Sequence, residues 1–262
     1  VGFYYRFRLE VFDTRETGVA EVDIVMNTPP RGGNVTVVPN EGMAISDTFT
    51  VTAQGWRDAD IPLNYAFSYR SRGSDSSAAH SFMLMPASLS STVDAVLPIT
   101  ATVLVVQVSD SYSASAQATV QVKVKPYVPA EGFDIQTDAA EKISSGMTNG
   151  NAQQTTQLIT AFAGALGDES SAMSEQELKQ AQNTREVLAD ALVALSSNAE
   201  DAPPDQLEMM AQGAAAVTAD AGQLTPAAME NAVDAVTSLG SAKALKGQVT
   251  PPKVRPASWR AF

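Results

Sequence analysis

The stretch GWRDADIPLNYAFSY spans residues 55–69, and its second half alternates between large apolar and smaller side chains. Alternation with a period of two is typical of a β-strand that buries one face. The face that repeats here carries four residues: Leu63, Tyr65, Phe67 and Tyr69. We therefore predict that this face is buried and that Trp56 lies in the core beside it. Asp58 and Asp60 would then fall in the turn before the strand.

Further short apolar runs fill the rest of the first half of the chain, separated by Pro, Gly, Asn and Ser. The predicted strands are 4–12, 18–26, 34–39, 47–56, 62–70, 101–108 and 115–124. The first two would pair across DTRET, SRGSDSSAAH (71–80) would form a polar surface loop, and VSDSYSASA (108–116) would form a hairpin turn. Short strands at this spacing predict an immunoglobulin-like or fibronectin-like sandwich.

Near Pro126 the chain changes character: most aromatic residues precede it, and Ala, Gln, Met and Leu dominate after it. The later segments show helical spacing and start signals. Asp134 to Met147 and Asn151 to Leu166 are the first two predicted helices, and Ser174 with Glu177 would form a capping box for the third. Pro203-Pro204 and Thr225-Pro226 would start two more helices. The predicted buried stripes are Thr155, Leu158, Ile159, Phe162 and Leu166; Leu178, Val187, Leu188, Leu192 and Leu195; Leu207, Met210, Ala214 and Val217; and Met229, Val233, Val236 and Leu239.

These two patterns predict an α+β fold made of separate domains, an all-β sandwich followed by a small helical bundle. The predicted boundaries are 1–27 for the closing strands of a preceding β repeat, 28–126 for the sandwich, 134–245 for the bundle and 246–262 for a Pro-rich linker. The N-terminus begins as a strand and lacks the pattern of a signal peptide, so we expect the chain to be an excerpt from a longer protein.

The 262-residue composition limits the possible functions. The formal net charge of −12 disfavours a nucleic-acid groove and docking on anionic lipid, since Lys and Arg are outnumbered. The chain contains no cysteine, which excludes disulfides, iron–sulfur clusters and thiol catalysis. No apolar run is long enough to cross a bilayer.

The first half also carries several short motifs in a fixed order. These are N-x-PP-x-GG at Asn27, Pro29, Pro30, Gly32 and Gly33; V-x-P-x-x-G at Val37, Pro39 and Gly42; G-W-x-D at Gly55, Trp56 and Asp58; and P-L-x-Y-x-F-x-Y at Pro62, Leu63, Tyr65, Phe67 and Tyr69. Together they resemble the REJ (receptor for egg jelly) region of polycystin-1-like membrane proteins. The resemblance implies an extracellular β module. That family usually has a cysteine at each of two positions that are here Val35 and Ala53, so the disulfide would be replaced by packing.

In such proteins a helical segment often follows the REJ region, and residues 134–245 resemble the helical subdomain of the GAIN (autoproteolysis-inducing) fold by position and composition. Cleavage in that fold needs a His-Leu-Ser/Thr tripeptide. The sole histidine, His80, stands in His-Ser-Phe, so the resemblance implies no self-cleavage.

Few residues are candidates for chemistry. His80 with Asp75 and the neighbouring serines can be written as a triad, but no nucleophile elbow accompanies them, and we interpret His80 as a solvated loop residue. Asp58, Asp60 and Asp110 could contribute to a calcium cage, but a turn-forming role is favoured. Gly32-Gly33 precedes a strand, whereas a phosphate loop would precede a helix. We predict no catalytic residue, no metal ligand and no cofactor.

Two further features have simple interpretations. Asn34-Val35-Thr36 is a glycosylation sequon, which makes Asn34 a candidate for a glycan in a surface protein. The methionines of the last helices would fill the core: Met209, Met210 and Met229.

The resemblance implies a non-enzymatic structural or adhesive piece of a polycystin-1-like protein on the extracellular face of the plasma or ciliary membrane. It would serve in anchoring, assembly or mechanosensing. Implied partners are other extracellular domains of the same chain, polycystin-type cation channel subunits and extracellular glycoproteins, with membrane contact only through parts outside the chain. The alternative is a free-standing carbohydrate- or protein-binding module of a secreted adhesin. An exposed aromatic platform of Tyr65, Tyr69 and Tyr112 would favour that alternative.

Overall fold

The computed structural model of the chain describes residues 4–14, 16–71, 81–129, 134–167 and 173–247. An all-β region precedes a helical one, which confirms the predicted α+β fold class. The strands are β1 (Tyr4–Phe12), β2 (Thr17–Val25), β3 (Asn34–Val38), β4 (Glu41–Met43), β5 (Thr48–Gln54), β6 (Asn64–Ser71), β7 (Ser81–Ser88), β8 (Thr92–Val96), β9 (Ala101–Ser109), β10 (Ser115–Gln121) and β11 (Lys123–Lys125). The helices are α1 (Ile135–Thr148), α2 (Ala152–Ala165), α3 (Glu175–Ser196), α4 (Pro204–Val217) and α5 (Pro226–Gly247).

The chain forms two compact units, and the helical unit includes short pieces of the first half. The first unit comprises Val1–Asn40, Phe49–Asp94 and Thr102–Lys123. The second comprises Glu41–Thr48, Ala95–Ala101 and Val124–Phe262.

In the first unit, β1 and β2 form an antiparallel hairpin that pairs Tyr4 with Val25 at one end and Phe12 with Thr17 at the other. This confirms the predicted pairing. Every residue of both strands is exposed, including the large apolar side chains of Phe7 and Val22. The ion pair between Arg6 and Asp23 is also exposed and adds little stability.

The remaining strands of the first unit form two sheets, ordered β3-β5-β8 and β10-β9-β6-β7. In β5 alternate residues Phe49, Val51 and Ala53 are buried between more exposed neighbours, as expected for a strand with one face in a core. The other sheet buries Phe67, Tyr69, Leu84, Leu104, Val106 and Val108.

Three strands were not predicted. β7 reads SFMLMPAS, where four adjacent apolar residues hide the alternation and Pro86 argues against a strand. Pro86 is tolerated because β7 lies at the edge of its sheet. β8 and β4 are five and three residues long, and three residues are too few for a periodic signal. The predicted loop at 71–80 lies outside the described residues from residue 72 onward.

In the second unit, Ala44, Ile45 and Val96 share a buried cluster with residues of the helices, including Ile159, Phe162 and Leu188. The backbone N–H of Val96 donates to Gln157 Oε1 at 3.2 Å, which satisfies a buried polar side chain of α2. Tyr127 packs edge-on against Phe162, with ring centroids 5.9 Å apart. The phenol of Tyr127 also hydrogen-bonds the Asp138 carboxylate.

The predicted helix starts are confirmed. The side chains of Asp134 and Asn151 cap α1 and α2, and Ser174 with Glu177 forms the complete capping box of α3. Hydrogen bonds from Ser174 hold the pKa of Glu177 below its usual value. Pro204 occupies the first turn of α4, and the Ala228 N–H donates to Thr225 Oγ1 at the start of α5.

The predicted buried stripe is confirmed for α2 and α4, while in α3 Leu188 and Leu192 are buried and Leu178, Val187 and Leu195 are half-buried. It is wrong for α5. Met229, Val233 and Val236 are 50%, 58% and 52% exposed, so Met229 is no core filler, whereas Met209 and Met210 are buried. The buried face of α5 consists of Ala228, Ala232, Ala235, Leu239 and Ala242. Small side chains allow helix backbones to approach closely, so the alanine face is the one that packs.

Arg185 of α3 is fully buried and joins three segments of the helical unit. Its guanidinium donates to Gln223 Oε1 at 2.8 Å, to the Val217 carbonyl at 2.6 Å and to the Gly167 carbonyl at 3.3 Å. These carbonyls belong to helix ends and loops that lack intrahelical partners. The arginine therefore has a structural role in closing the bundle.

Candidate functional site

The motif residues of segments 28–33 and 55–58 form a backbone tie beside β3 and β5, which we call the entry tie. Arg31 and Arg57 exchange backbone hydrogen bonds, each with an N···O distance of 3.0 Å. Gly32 and Gly55 adopt φ values of +78° and +74°, a region that side chains with a Cβ rarely adopt. The two glycines therefore let two chain segments run side by side.

Gly33 and Trp56 complete the entry tie. A Cβ at Gly33 would lie 2.1 Å from Cδ2 of the indole, so the ring rests directly on the glycine backbone. Trp56 is half-buried, and its Nε1 is enclosed without a hydrogen-bond partner. Trp56 thus differs from the prediction, because it covers the entry segment and is not fully enclosed by the core.

The aromatic face of β6 is divided by an irregularity in strand pairing. Phe67 and Tyr69 are 1% and 3% exposed, as predicted, and Tyr69 stacks on Phe82 with centroids 5.1 Å apart. Leu63 and Tyr65 are half-buried. The register between β6 and β7 shifts on both sides of Phe67, so the simple alternation does not extend back to Tyr65.

The three tyrosines of the predicted aromatic platform, Tyr65, Tyr69 and Tyr112, differ in their solvent exposure. Burial raises the pKa of Tyr69 well above its usual value, whereas Tyr112 is 73% exposed. Tyr65 lies between these extremes. A stacking platform needs several accessible rings, so these residues do not favour the adhesin alternative.

The three predicted acidic candidates, by contrast, are brought together. One carboxylate oxygen from each of Asp58, Asp60 and Asp110 lies within 4.8 Å of the others. Asp58 Oδ1 accepts from the Asp60 N–H at 2.9 Å, and Asp110 Oδ1 accepts from the N–H groups of Tyr112 and Ala114 at 2.8 and 3.0 Å. These are the turn-forming contacts that the sequence favoured. Asp110 is nevertheless 3% exposed, which is unusual for a carboxylate.

Asn27 joins the same cluster and was not predicted as a site residue. Its Nδ2 donates to Asp110 Oδ2 at 2.6 Å, while its Oδ1 is buried and accepts no hydrogen bond. A cavity of about 770 Å³ is lined by Asn27, Asp58 and Asp60, among other residues. Asn27 and Asp110 are 83 positions apart, so only the folded chain reveals their contact.

Val35 and Ala53, where the family usually has cysteines, are direct partners in the register of β3 and β5. Both are buried. The Ala53 N–H donates to the Ser91 carbonyl, and so points away from β3. In antiparallel sheets this makes Val35 and Ala53 a non-hydrogen-bonded pair, the closer of the two pair types.

Asn34, the sequon residue, is exposed at the first position of β3. His80 and Asp75 lie outside the described residues, so the interpretation of His80 as a solvated loop residue stays a prediction.

The family model for the REJ domain matches residues 2–161, well over half of the 262 residues. The chain belongs to the REJ domain family. This membership makes it a polycystin-1-like extracellular module. The REJ match includes the hairpin of β1 and β2 and extends into α2, and helices continue beyond it to residue 247, as the resemblance implied. None of the described helices has the length and apolar character needed to cross a membrane.

Proposed function

We propose that this REJ module is a non-enzymatic structural and adhesive part of a polycystin-1-like protein on the extracellular face of the plasma or ciliary membrane. The observation that carries this proposal is that the motif residues make structural contacts with one another. Arg31 and Arg57 join two backbone segments, and Trp56 covers Gly33. These contacts join two segments of the backbone, which supports a structural role for the module.

The exposed hairpin supports a function within a series of domains. A two-stranded ribbon is marginally stable at best in water, and both faces of β1 and β2 expose large apolar residues. Packing against another extracellular domain of the same protein would bury them. This agrees with the prediction that residues 1–27 close a preceding β repeat.

The surface charge bears on the other proposed partners. The net charge of −12 favours basic or cationic partners over nucleic acid and anionic lipid. We include extracellular glycoproteins and polycystin-type cation channel subunits among the proposed partners, and the exposed Asn34 is a proposed glycan site. Through such contacts the module would anchor, assemble or transmit load.

The location and the partner can be tested together in cells that make the full-length protein. An antibody against residues 1–247 should label intact, unpermeabilised cells, and immunoprecipitation should recover a polycystin-type channel subunit. An antibody against tubulin, which should label only permeabilised cells, is the control. Labelling of the REJ chain only after permeabilisation would contradict the extracellular location. Absence of the channel subunit from the precipitate would contradict the proposed channel partner but not the location.

A further inference from the structure

We propose that two copies of this chain associate through one face of the β1–β2 hairpin. The inference rests on the proposed function, in which another extracellular domain covers the hairpin, and it identifies that domain as the same hairpin of a second copy. Three features of the hairpin lead to this partner: the separation of its side chains into two faces, the exposure of one of them, and the area and charge of that face.

The pairing of β1 with β2 separates their side chains into two chemically different faces. Directly paired residues of an antiparallel ribbon lie on the same face, and successive residues along a strand alternate between faces. Phe7 pairs with Val22 and Leu9 pairs with Ala20 on one face. That face, which we call the apolar face, consists of Tyr5, Phe7, Leu9, Val11, Gly18, Ala20, Val22 and Ile24.

All charged residues of the two strands lie on the opposite face, which we call the ion-paired face. It consists of Tyr4, Arg6, Arg8, Glu10, Phe12, Thr17, Val19, Glu21, Asp23 and Val25. Arg6 lies 2.8 Å from Asp23, and Arg8 lies 2.6 Å from Glu10 and 3.7 Å from Glu21. Antiparallel sheets commonly have one solvated face and one face packed on a core. The ion-paired face is therefore suited to water, and the apolar face to contact with protein.

No part of the chain that the structure describes covers the apolar face. All eight of its residues are exposed, and Phe7 and Val22 are each 56% exposed. Six large side chains at about half exposure contribute on the order of 100 Å² each, and Gly18 and Ala20 contribute less, which gives about 700 Å². The largest apolar patch of a typical monomer is about 300–600 Å², and larger patches mark interaction sites.

A second copy fits the apolar face in area and in charge. Two apolar faces in contact would bury about 1,400 Å², within the range of about 1,200–2,000 Å² found for specific protein interfaces. Because the apolar face carries no charge, a copy related by a two-fold axis meets it without opposing like charges. The two hairpins would form a four-stranded sandwich with about 10 Å between its layers, and the ion-paired faces would stay in water.

Sedimentation velocity of the 262-residue chain between about 1 and 100 µM tests the pairing. The wild-type chain should dimerise in this range, since interfaces of this size bind with micromolar or tighter Kd. Val22→Lys places a charge on the apolar face and should weaken dimerisation at least tenfold. Val19→Lys adds the same charge to the same strand, but on the ion-paired face opposite Glu10. It is the matched control and should dimerise like wild type.

Circular dichroism establishes that each variant is folded, and Leu9→Lys provides a second variant of the apolar face. A wild-type chain that stays monomeric at about 100 µM would overturn the proposal and leave the apolar face to a different domain. The extracellular location would be unaffected, because cell-surface labelling tests it separately. Dimerisation of the folded Val22→Lys and Leu9→Lys proteins as in wild type, or equal loss of the dimer in Val19→Lys, would also overturn the assignment to this face.

Discussion

At the scale of single residues, the contact of Trp56 with Gly33 explains why position 33 is a glycine next to a tryptophan ring. The indole lies where a Cβ at position 33 would be. A residue of any size there would displace the ring and loosen the adjacent Arg31–Arg57 bridge. The two positions should therefore behave as one energetic unit.

A double-mutant cycle tests this coupling. Trp56→Ala should lower the free energy of unfolding by about 3 kcal/mol, since a large, half-buried aromatic side chain is lost. Gly33→Ala in the wild-type background should cost about 1–3 kcal/mol by overpacking, but close to nothing once Trp56 is alanine. Urea unfolding of the four proteins provides the measurement. Additive losses would show that the ring and the glycine are independent.

At the scale of elements, the pairing of β3 with β5 brings together Val35 and Ala53, the two positions where the resemblance to REJ regions implies a cross-link. Val35 and Ala53 face each other in a non-hydrogen-bonded pair, where Cα atoms are about 4.5 Å apart. That separation is within the range that a disulfide can span. Both side chains are buried, so we expect their packing to take the place of the cross-link that the resemblance implies at these positions.

The double variant Val35→Cys/Ala53→Cys should consequently form a disulfide under mild oxidation. The closed loop is short, so the oxidised protein should gain about 3 kcal/mol of stability over its reduced form. Thermal unfolding with and without reductant measures the gain, and each single cysteine variant is a control. Failure of the double variant to form the disulfide under oxidising conditions would contradict the pairing of residues 35 and 53 in the register of β3 and β5.

A comparison of the predicted and observed helices and strands shows what could be predicted from the sequence and what could not. Helix starts were predicted well because Ser174, Thr225 and Pro204 act on backbone groups next to them. The buried face of α5 was predicted wrongly because hydrophobicity favoured Met229 and Val233, while close packing required alanines. β7 was missed because only its position at a sheet edge explains Pro86.

The same limit applies to the acidic cluster. The sequence identified Asp58, Asp60 and Asp110 as candidates and predicted a turn-forming role, which the hydrogen bonds confirm for the side chains of Asp58 and Asp110. Whether the three come together depends on the pairing of distant strands. The orphaned oxygen of Asn27 is a property of the folded chain alone.

At the scale of the whole molecule, the order of the segments determines where a pulling force acts first. Tension that arrives through β2 passes along residues 26–33 before it reaches β3. On this N-terminal side it therefore meets the Asn27–Asp110 hydrogen bond and the entry tie before it reaches the first strand of the two sheets, β3. A module that anchors or transmits load needs its first contacts to resist this tension.

The most direct test of this account is single-molecule force spectroscopy of the 262-residue chain, pulled from its two ends. Trp56→Ala should lower the force at which the β region gives way, compared with wild type and with Tyr112→Ala, which removes an exposed aromatic ring as the matched control. We expect a clear reduction for Trp56→Ala and none for Tyr112→Ala. An unchanged unfolding force for a folded Trp56→Ala protein would contradict the proposal that the entry tie formed by the REJ motif residues bears load.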